Sequence, residues 1–198
     1  MTIRKLPTVL INQIAAGEVV DRPASIVKEL VENAIDAGST RIDIQLLHGG
    51  KDLIRVSDNG SGIASEELEL AVTPHATSKI TEEADLSAIA SLGFRGEALA
   101  SIGSISQLLL RSRQEIAESG TQIEVDGGDL TKPKPVGASV GTTVEVKRLF
   151  FNTPARRKFL KSDGAETTRV REVVQRLAAS HHAVAFTFRS GEALLFEY

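Results

Sequence analysis

The chain of 198 residues contains no cysteine and no tryptophan, and its aromatic content is only 4%. The lack of cysteine excludes disulfides, thiolate metal sites and cysteine nucleophiles, and it is compatible with a cytosolic protein. No apolar run approaches the ~20 residues that a membrane-spanning helix needs. The first residues also lack the sustained apolar core of a signal peptide. The hydrophobic core must therefore consist mostly of Leu, Ile, Val and Ala.

The remaining composition is typical of a globular protein. Hydrophobic residues make up 41% and charged residues 25%, and the formal net charge is −3. The length suits one domain or one large subdomain. Because the final run LLFEY is strand-like and has no cap or polar tail, we expect the chain to be a piece of a longer protein.

Hydrophobic periodicity predicts two long helices, one from Arg22-Pro23 to near Gly38 and one over 164–181. A short helix is predicted over 64–72, and loops over 126–129 and 132–135. Residues 73–104 have no strong period, so we expect them to be functional or mobile. Alternating apolar residues predict strands over 42–46, 53–56, 107–111, 122–125, 142–147, 183–188 and 193–196. This order predicts a two-layer α+β sandwich rather than alternating βαβ units.

A polar strip runs along one side of the first predicted helix. At about 100° per residue, Glu29, Asn33 and Asp36 fall within one narrow arc that borders the apolar face. Glu29 and Asn33 are i,i+4 neighbours, so both side chains can point into one site. A carboxylate there can take a proton from water, and a carboxamide oxygen suits Mg²⁺. A solvated helix face is the alternative for the same residues.

The second predicted strand ends in the loop Asp58-Asn-Gly60-Ser-Gly62. An aspartate at a strand end can accept a hydrogen bond from an amino group such as that of adenine, and the glycines let a ligand approach the backbone. Gly141-Thr-Thr143 precedes another strand, and its hydroxyls can reach the Asp58 carboxylate or a water bound to adenine. A glycine-rich turn with a solvated aspartate is the alternative.

Two further segments suit phosphate. Gly96 precedes a possible helix start, whose free N–H groups would cradle phosphate, and Thr77-Ser78-Lys79 offers two hydroxyls and an ammonium. Neither segment is a P-loop, because the chain contains no GxxxxGK[ST] and no GxGxxG pattern. Polar surface loops are the alternative. The four histidines show no metal-ligand spacing, and no zinc site is expected.

Positive charge is concentrated near one end of the chain. Residues 147–176 contain nine Lys/Arg against three Asp/Glu, a net charge of +6, which leaves −9 on the rest of the chain. Such a segment can bind nucleic acid through the phosphate backbone, without sequence preference. The candidates for DNA contact are Arg156, Arg157, Lys158 and Lys161. Alternatively, these residues pair with acids of the fold or face another subdomain.

The order of the motifs resembles the four-motif nucleotide site of the gyrase, Hsp90, histidine kinase and MutL superfamily. Longer blocks resemble the MutL family of DNA mismatch repair proteins: NQIAAGEVV at 12–20, RPAS at 22–25, HATSK at 75–79, GFRGEAL at 93–99 and NTPARRKFL at 152–160. The resemblance covers nearly the whole chain. Pro74 and Phe151 depart from it, since a polar residue and often Tyr are expected there, but both lie beside the motifs.

The resemblance implies a Bergerat-type two-layer α/β sandwich. Its sheet is mixed and mostly antiparallel, its helices cover one face, and ATP with Mg²⁺ lies under a mobile lid. Glu29 is carried over as the general base, Asn33 as the Mg²⁺ ligand and Asp58 as the acceptor of the adenine amino group, with Thr143 on the adenine side. The other implied ATP contacts are Gly60, Gly62, Thr77, Ser78, Lys79, Gly93, Phe94, Arg95, Gly96, Glu97, Ala98 and Leu99.

The resemblance also implies a domain layout and partners. Residues 1–20 would be an arm and 21–198 the ATP-binding subdomain, while a second subdomain that supplies a lysine to the γ-phosphate and a C-terminal dimerisation domain lie outside this chain. A slow ATPase is expected, in which ATP closes the lid and pairs two copies. This would couple a MutS-type mismatch recognition protein to a downstream nuclease and helicase on DNA, in the bacterial cytoplasm. A binding module without turnover and a type II topoisomerase ATPase region are the alternatives.

Overall fold

The computed structural model describes residues 16–17, 20–74 and 97–198 of the chain. The five helices that lie wholly within these ranges are α1 (Pro23–Asp36), α2 (Leu68–Ala71), α3 (Ala98–Ser104), α4 (Pro154–Phe159) and α5 (Asp163–Ser180). Single 3₁₀ turns lie at His48–Gly50 and Ser65–Glu67. Within these ranges, no helix is both long and apolar enough to cross a membrane.

One sheet of nine strands runs through the described part of the protein. The strands are β1 (Arg41–Leu47), β2 (Leu53–Asp58), β3 (Gln107–Arg113), β4 (Gly120–Asp126), β5 (Asp129–Leu130), β6 (Lys134–Val136), β7 (Gly141–Lys147), β8 (Ala185–Ser190) and β9 (Ala193–Glu197). Their order is β5-β4-β3-β7-β2-β1-β8-β9, and β6 pairs with β4. The β1–β8 pair is parallel, whereas the other pairs are antiparallel.

Strand register gives the sheet one apolar and one polar face. A row of directly paired residues crosses six strands and is buried throughout: Ile123, Leu110, Val144, Val56, Ile44 and Phe188. The adjacent row points to the other face and is polar throughout: Gln122, Arg111, Thr143, Ser57, Asp43 and Thr187. Side chains alternate between the faces along a strand, so a single hydrophobic face selects this register.

The helices cover the apolar face. Buried residues of α1 and α5, such as Ile26, Leu30, Val170 and Val174, join the strand residues in one continuous core. α1 packs on β1 and β2, α5 packs on β8, and the two helices contact each other. The predicted two-layer sandwich, with a mixed and mostly antiparallel sheet and helices on one face, is therefore confirmed.

Some short elements differ from the sequence-based expectation. β5 and β6 form where loops were expected, because both pair with β4 and such pairing is not visible in a local pattern. α3 lies inside the stretch without a strong period, at the possible helix start that follows Gly96. α4 was not predicted: it has Pro154 at its start and no buried residue, so it lacks the apolar face that the periodicity argument needs.

Candidate nucleotide-binding site

The helix α1 presents the predicted polar strip at the border of its buried face. Pro23 occupies its first turn, and Ile26, Leu30 and other apolar residues pack into the core. Glu29 and Asn33 are both half-buried and lie one turn apart. The structure therefore brings a carboxylate and a carboxamide together at one edge of the core, where they can meet water and a hard cation.

A lysine joins the two carboxylates on this part of α1. Lys28 Nζ lies 2.8 Å from Glu32 Oε2 and 3.9 Å from Glu29 Oε1. The Glu32 side chain is only 6% exposed, so its ion pair with Lys28 satisfies a carboxylate that burial alone would disfavour. Glu29 remains 27% exposed, which leaves it accessible to a water molecule.

Asp58 is the centre of a hydrogen-bond cluster at the end of β2. Its Oδ1 accepts hydrogen bonds from Gly60 N at 2.8 Å, Ser39 Oγ at 3.2 Å and Thr142 N at 3.3 Å. Within the described residues, none of the hydrogen bonds uses Oδ2, so one carboxylate oxygen is held and the other is open to a donor. Burial raises the pKa of the Asp58 carboxyl above its ordinary value, although these three hydrogen bonds oppose the rise.

The two threonines of the Gly-Thr-Thr motif lie on opposite faces of the sheet. Thr142 faces the helices: its backbone N–H reaches Asp58, and its hydroxyl lies 2.8 Å from Ser112 Oγ. Thr143 faces away, and its hydroxyl donates to Ser57 Oγ at 3.0 Å on the polar face. The expectation that Thr143 supports the adenine side does not agree with this geometry, since alternation along β7 brings its neighbour to Asp58 instead.

Two buried serines that the sequence patterns did not indicate complete this cluster. Ser39 donates to Asp58 from the turn after α1. Ser112 Oγ donates to Gly141 O at 3.0 Å and accepts from Ile63 N at 2.8 Å. Their hydroxyls come to the site only through tertiary contacts, so no motif could identify them.

The predicted glycine loop is packed tightly against the rest of the protein. At Gly60, an added Cβ atom would lie 2.7 Å from Ser39 Oγ and 2.8 Å from Ala37 O. Gly62 has φ +71° and an added Cβ would collide with the backbone carbonyl of Arg113. Both glycines are therefore required for the loop to fit, whether or not they also approach a ligand.

The expected phosphate contacts fall at the edge of the described residues. Thr77, Ser78, Lys79, Gly93, Phe94, Arg95 and Gly96 lie outside the residues that the structure describes. Glu97 directly precedes α3, and Ala98 and Leu99 form its first turn. Leu99 packs against the core, so this end of the segment is anchored by apolar contact.

The four basic candidates do not form one exposed cluster. Lys158 and Lys161 are exposed, and Arg157 Nη2 lies 3.3 Å from Asp52 Oδ1 while remaining largely exposed. Arg156 instead turns inward and lies against Gly17, and its Nη1 atom is buried. Arg156 is half-buried and one guanidinium nitrogen is enclosed, so it is less accessible to a phosphate than the other three candidates, and its DNA contact is not carried into the proposal below.

In the part of the chain that the structure describes, acidic and histidine side chains offer no separate metal centre. Within 16–17, 20–74 and 97–198, no group of three or more His, Cys, Asp or Glu residues is arranged to hold a metal ion. The Asn33 carboxamide oxygen is a hard ligand of the kind that binds Mg²⁺ together with ligand phosphates.

Comparison with known proteins finds a matching family and relatives that cover almost the whole chain. The family model described as histidine kinase-, DNA gyrase B- and HSP90-like ATPase matches residues 22–136. The chain is 56% identical over 194 residues to the DNA mismatch repair protein MutL of Heliobacterium modesticaldum, across 98% of this chain and 29% of that protein. It is 54% identical to MutL of Brucella abortus, across 100% of this chain and 31% of that protein. The chain thus spans about three tenths of the length of these curated relatives.

Solved structures give the same result. The Aquifex aeolicus MutL ATPase domain complexed with ADP matches with a TM-score of 0.76 and 38% identity, across 90% of this chain and 64% of that one. The N-terminal domain of a DNA repair protein matches with a TM-score of 0.79 and 30% identity, across 95% of this chain and 56% of that one. Both matches cover nine tenths or more of this chain.

Proposed function

Because the chain belongs to the histidine kinase-, DNA gyrase B- and HSP90-like ATPase family and matches MutL over almost its whole length, we propose that it binds ATP and hydrolyses it slowly in DNA mismatch repair. The observation that carries this proposal is the Asp58 cluster. Three donors hold Oδ1, and Oδ2 is left to accept a hydrogen bond from the exocyclic amino group of adenine. The ADP complex of the Aquifex aeolicus ATPase domain supports a nucleotide ligand.

The two polar residues of α1, Glu29 and Asn33, have different roles in hydrolysis. The Glu29 carboxylate orients a water molecule and accepts its proton as the water oxygen bonds to the terminal phosphorus, while the bond from that phosphorus to the bridging oxygen breaks to release ADP. This chemistry depends on positioning and charge stabilisation more than on covalent catalysis. Asn33 fits Mg²⁺ through its hard carboxamide oxygen. When bound, Mg²⁺ neutralises charge on the phosphates.

A nucleotide titration combined with a turnover assay tests the proposal. The chain is titrated with a non-hydrolysable ATP analogue and with the matching GTP analogue, each with and without Mg²⁺. We expect Mg²⁺-dependent binding that strongly favours the adenine nucleotide, and slow release of phosphate from ATP. Binding without turnover in the chain and in its longer parent would favour a module that only binds nucleotide, and equal affinity for both bases would refute the role of Asp58.

The role of the relatives in DNA mismatch repair extends the proposal to the pairing of two copies and to partner proteins. ATP closes the lid, which the resemblance ends at residues 93–99, orders the N-terminal arm and brings two copies together. The pair couples a MutS-type recognition protein to a downstream nuclease and helicase. The named function of the relatives, DNA mismatch repair, supports this extension. Sedimentation with and without the ATP analogue tests it, since the analogue should shift the protein from monomer to dimer.

A smaller basic surface than the sequence indicated is proposed to contact DNA. It consists of Arg157, Lys158 and Lys161 around Phe159, whose side chain is 82% exposed. Each phosphate contact adds about 0.9 to the slope of log K against log salt. Neutralising Lys158 and Lys161 together should therefore reduce the slope by about 1.8. The matched control neutralises Arg169 and Arg176, two exposed cations of α5; an equal reduction there would show only a general charge effect.

A further inference from the structure

We infer that Arg156 is a positioning residue, which holds the turn that leads into α1 and thereby places Glu29 and Asn33 for nucleotide. The inference rests on the proposed function for its consequence, but not for the contact itself. It assigns to Arg156 a role inside the protein in place of the DNA contact expected from its sequence neighbours.

The guanidinium of Arg156 occupies the space where a side chain at position 17 would stand. An ideal Cβ atom added to Gly17 would overlap Arg156 Nη2 and would lie 2.8 Å from its Nη1. Gly17 is helical and its φ lies outside the left-handed region, so its backbone conformation does not require glycine. A side chain at position 17 would therefore require the Arg156 guanidinium to move away from this contact.

The contacted turn leads directly into α1. Val20 N donates to Ala16 O at 2.8 Å, and the side chains of Ala16 and Val20 are fully buried in the core. Pro23 begins α1 three residues later, and Glu29 follows at about 9 Å along the helix axis. Ala16 and Val20 therefore tie the position of Gly17 to the core beside the start of the helix that carries the polar strip.

Arg156 is itself held by a well-anchored segment. Phe150 is fully buried, and its N–H donates to Ile105 O at 2.8 Å just after α3. Asn152 Nδ2 donates to Ser104 O at 2.8 Å at the end of the same helix. α3 begins at Ala98, within the segment 93–99 at which the expected lid ends. The segment from Phe150 to Arg156 therefore connects α3 to the residues before α1.

The chemistry of the contact indicates that position 156 needs an arginine rather than any large side chain. Among the described residues, its Nη1 has no hydrogen-bond partner although it is buried. An unpaired buried donor of a charged group is costly, so apolar packing alone does not account for an arginine here. A planar guanidinium can lie flat against a glycine, whereas the ammonium of lysine cannot cover the same surface.

The test is a double-mutant cycle on Gly17 and Arg156. Gly17→Ala, Arg156→Ala, Arg156→Lys and the Gly17→Ala/Arg156→Ala double variant are compared by thermal unfolding and by the Kd for the non-hydrolysable ATP analogue with Mg²⁺. Gly164→Ala is the matched glycine control, since that helical position has nothing within 4 Å of an added Cβ. Arg176→Ala, at an exposed cation, is the arginine control.

Gly17→Ala and Arg156→Ala should each weaken analogue binding by about tenfold, within the range of typical coupling between sites. In the Arg156→Ala background, Gly17→Ala should have no further effect on binding and should not lower the unfolding midpoint, because the three atoms nearest to the added methyl all belong to the Arg156 guanidinium. Arg156→Lys should fail to restore affinity, and both control variants should bind like the wild type.

Additive effects of the two changes, or full rescue by Arg156→Lys, would overturn the inference. Wild-type protein that does not bind the analogue would instead refute the proposed function. In that case the unfolding midpoints of the same cycle still decide whether Arg156 and Gly17 are coupled.

Discussion

Replacing Asp58 by asparagine changes a single atom at the centre of the candidate adenine site. The carboxamide oxygen of the new side chain can keep the hydrogen bonds that Gly60 N, Ser39 Oγ and Thr142 N donate to Oδ1. The other oxygen becomes an NH₂ group, so the adenine amino group meets a donor instead of an acceptor. Leaving a buried polar pair unsatisfied costs about 1–3 kcal/mol, which corresponds to about 5- to 150-fold in affinity.

The base selectivity of Asp58→Asn gives the sharper measurement. Guanine carries a carbonyl oxygen where adenine has its amino group, so the new NH₂ can donate to guanine. We expect the ratio of ATP to GTP analogue affinities, measured by fluorescence titration, to fall in the variant. Asp58→Ala serves as a comparison, because it also removes the acceptor of three donors and should lower the unfolding midpoint. An Asp58→Asn protein as selective as the wild type would refute the role of Oδ2.

The raised pKa of Asp58 also predicts a pH dependence of stability. Its ordinary value is 3.8 and the folded value is higher because of burial, so the folded state keeps the proton to higher pH than the unfolded state. The protonated Asp58 carboxyl therefore stabilises the folded protein in full at pH values below its pKa in the unfolded chain. This stabilisation is lost as the pH rises through its pKa in the folded protein. Asp58→Asn removes this titration and should gain stability relative to the wild type as pH rises above 3.8. Urea unfolding at several pH values checks this, and a difference that stays constant would contradict it.

Three further substitutions test the other assignments. Glu29→Ala should lower the rate of ATP hydrolysis by about 10²–10⁴-fold while the Kd of the analogue changes little, and equal losses in both would argue against a general base. Asn33→Ala should remove the dependence of analogue affinity on Mg²⁺, so an unchanged Mg²⁺ titration would reject it as a ligand. Thr142→Val keeps the backbone N–H that reaches Asp58 but loses the hydroxyl contact with Ser112, so it should cost about 1 kcal/mol in the free energy of unfolding. Thr143→Val should leave the Kd unchanged, and a weaker Kd in that variant would support the assignment of Thr143 to the adenine side.

Local sequence patterns were sufficient to predict the helices and strands that have a regular apolar face. The period of α1 and the alternation in β1 and β2 follow directly from side chains that must be buried on one side, and the Glu29–Asn33 pair follows from helix geometry. The motif order further indicated that Asp58 belongs to the same site. The helix, the strands and the Glu29–Asn33 pair depend on residues close together in the chain, so they can be predicted without a structure. The place of Asp58 followed instead from the resemblance of the motif order to a known family.

The features that depend on contacts between distant segments were known only from the tertiary structure. The pairing of β7 with β2 turned Thr142 toward Asp58 and Thr143 to the polar face, a difference of one residue that a Gly-Thr-Thr motif cannot express. Arg156 and Arg157 are adjacent in the sequence, but the anchored segment before α4 directs one to Gly17 and leaves the other at the surface. The sequence by itself determined which residue types make the site and the core, because local periodicity and side-chain chemistry are properties of the chain. The packing of distant strands and helices determined which residue of each adjacent pair, Thr142 and Thr143 or Arg156 and Arg157, faces into the protein.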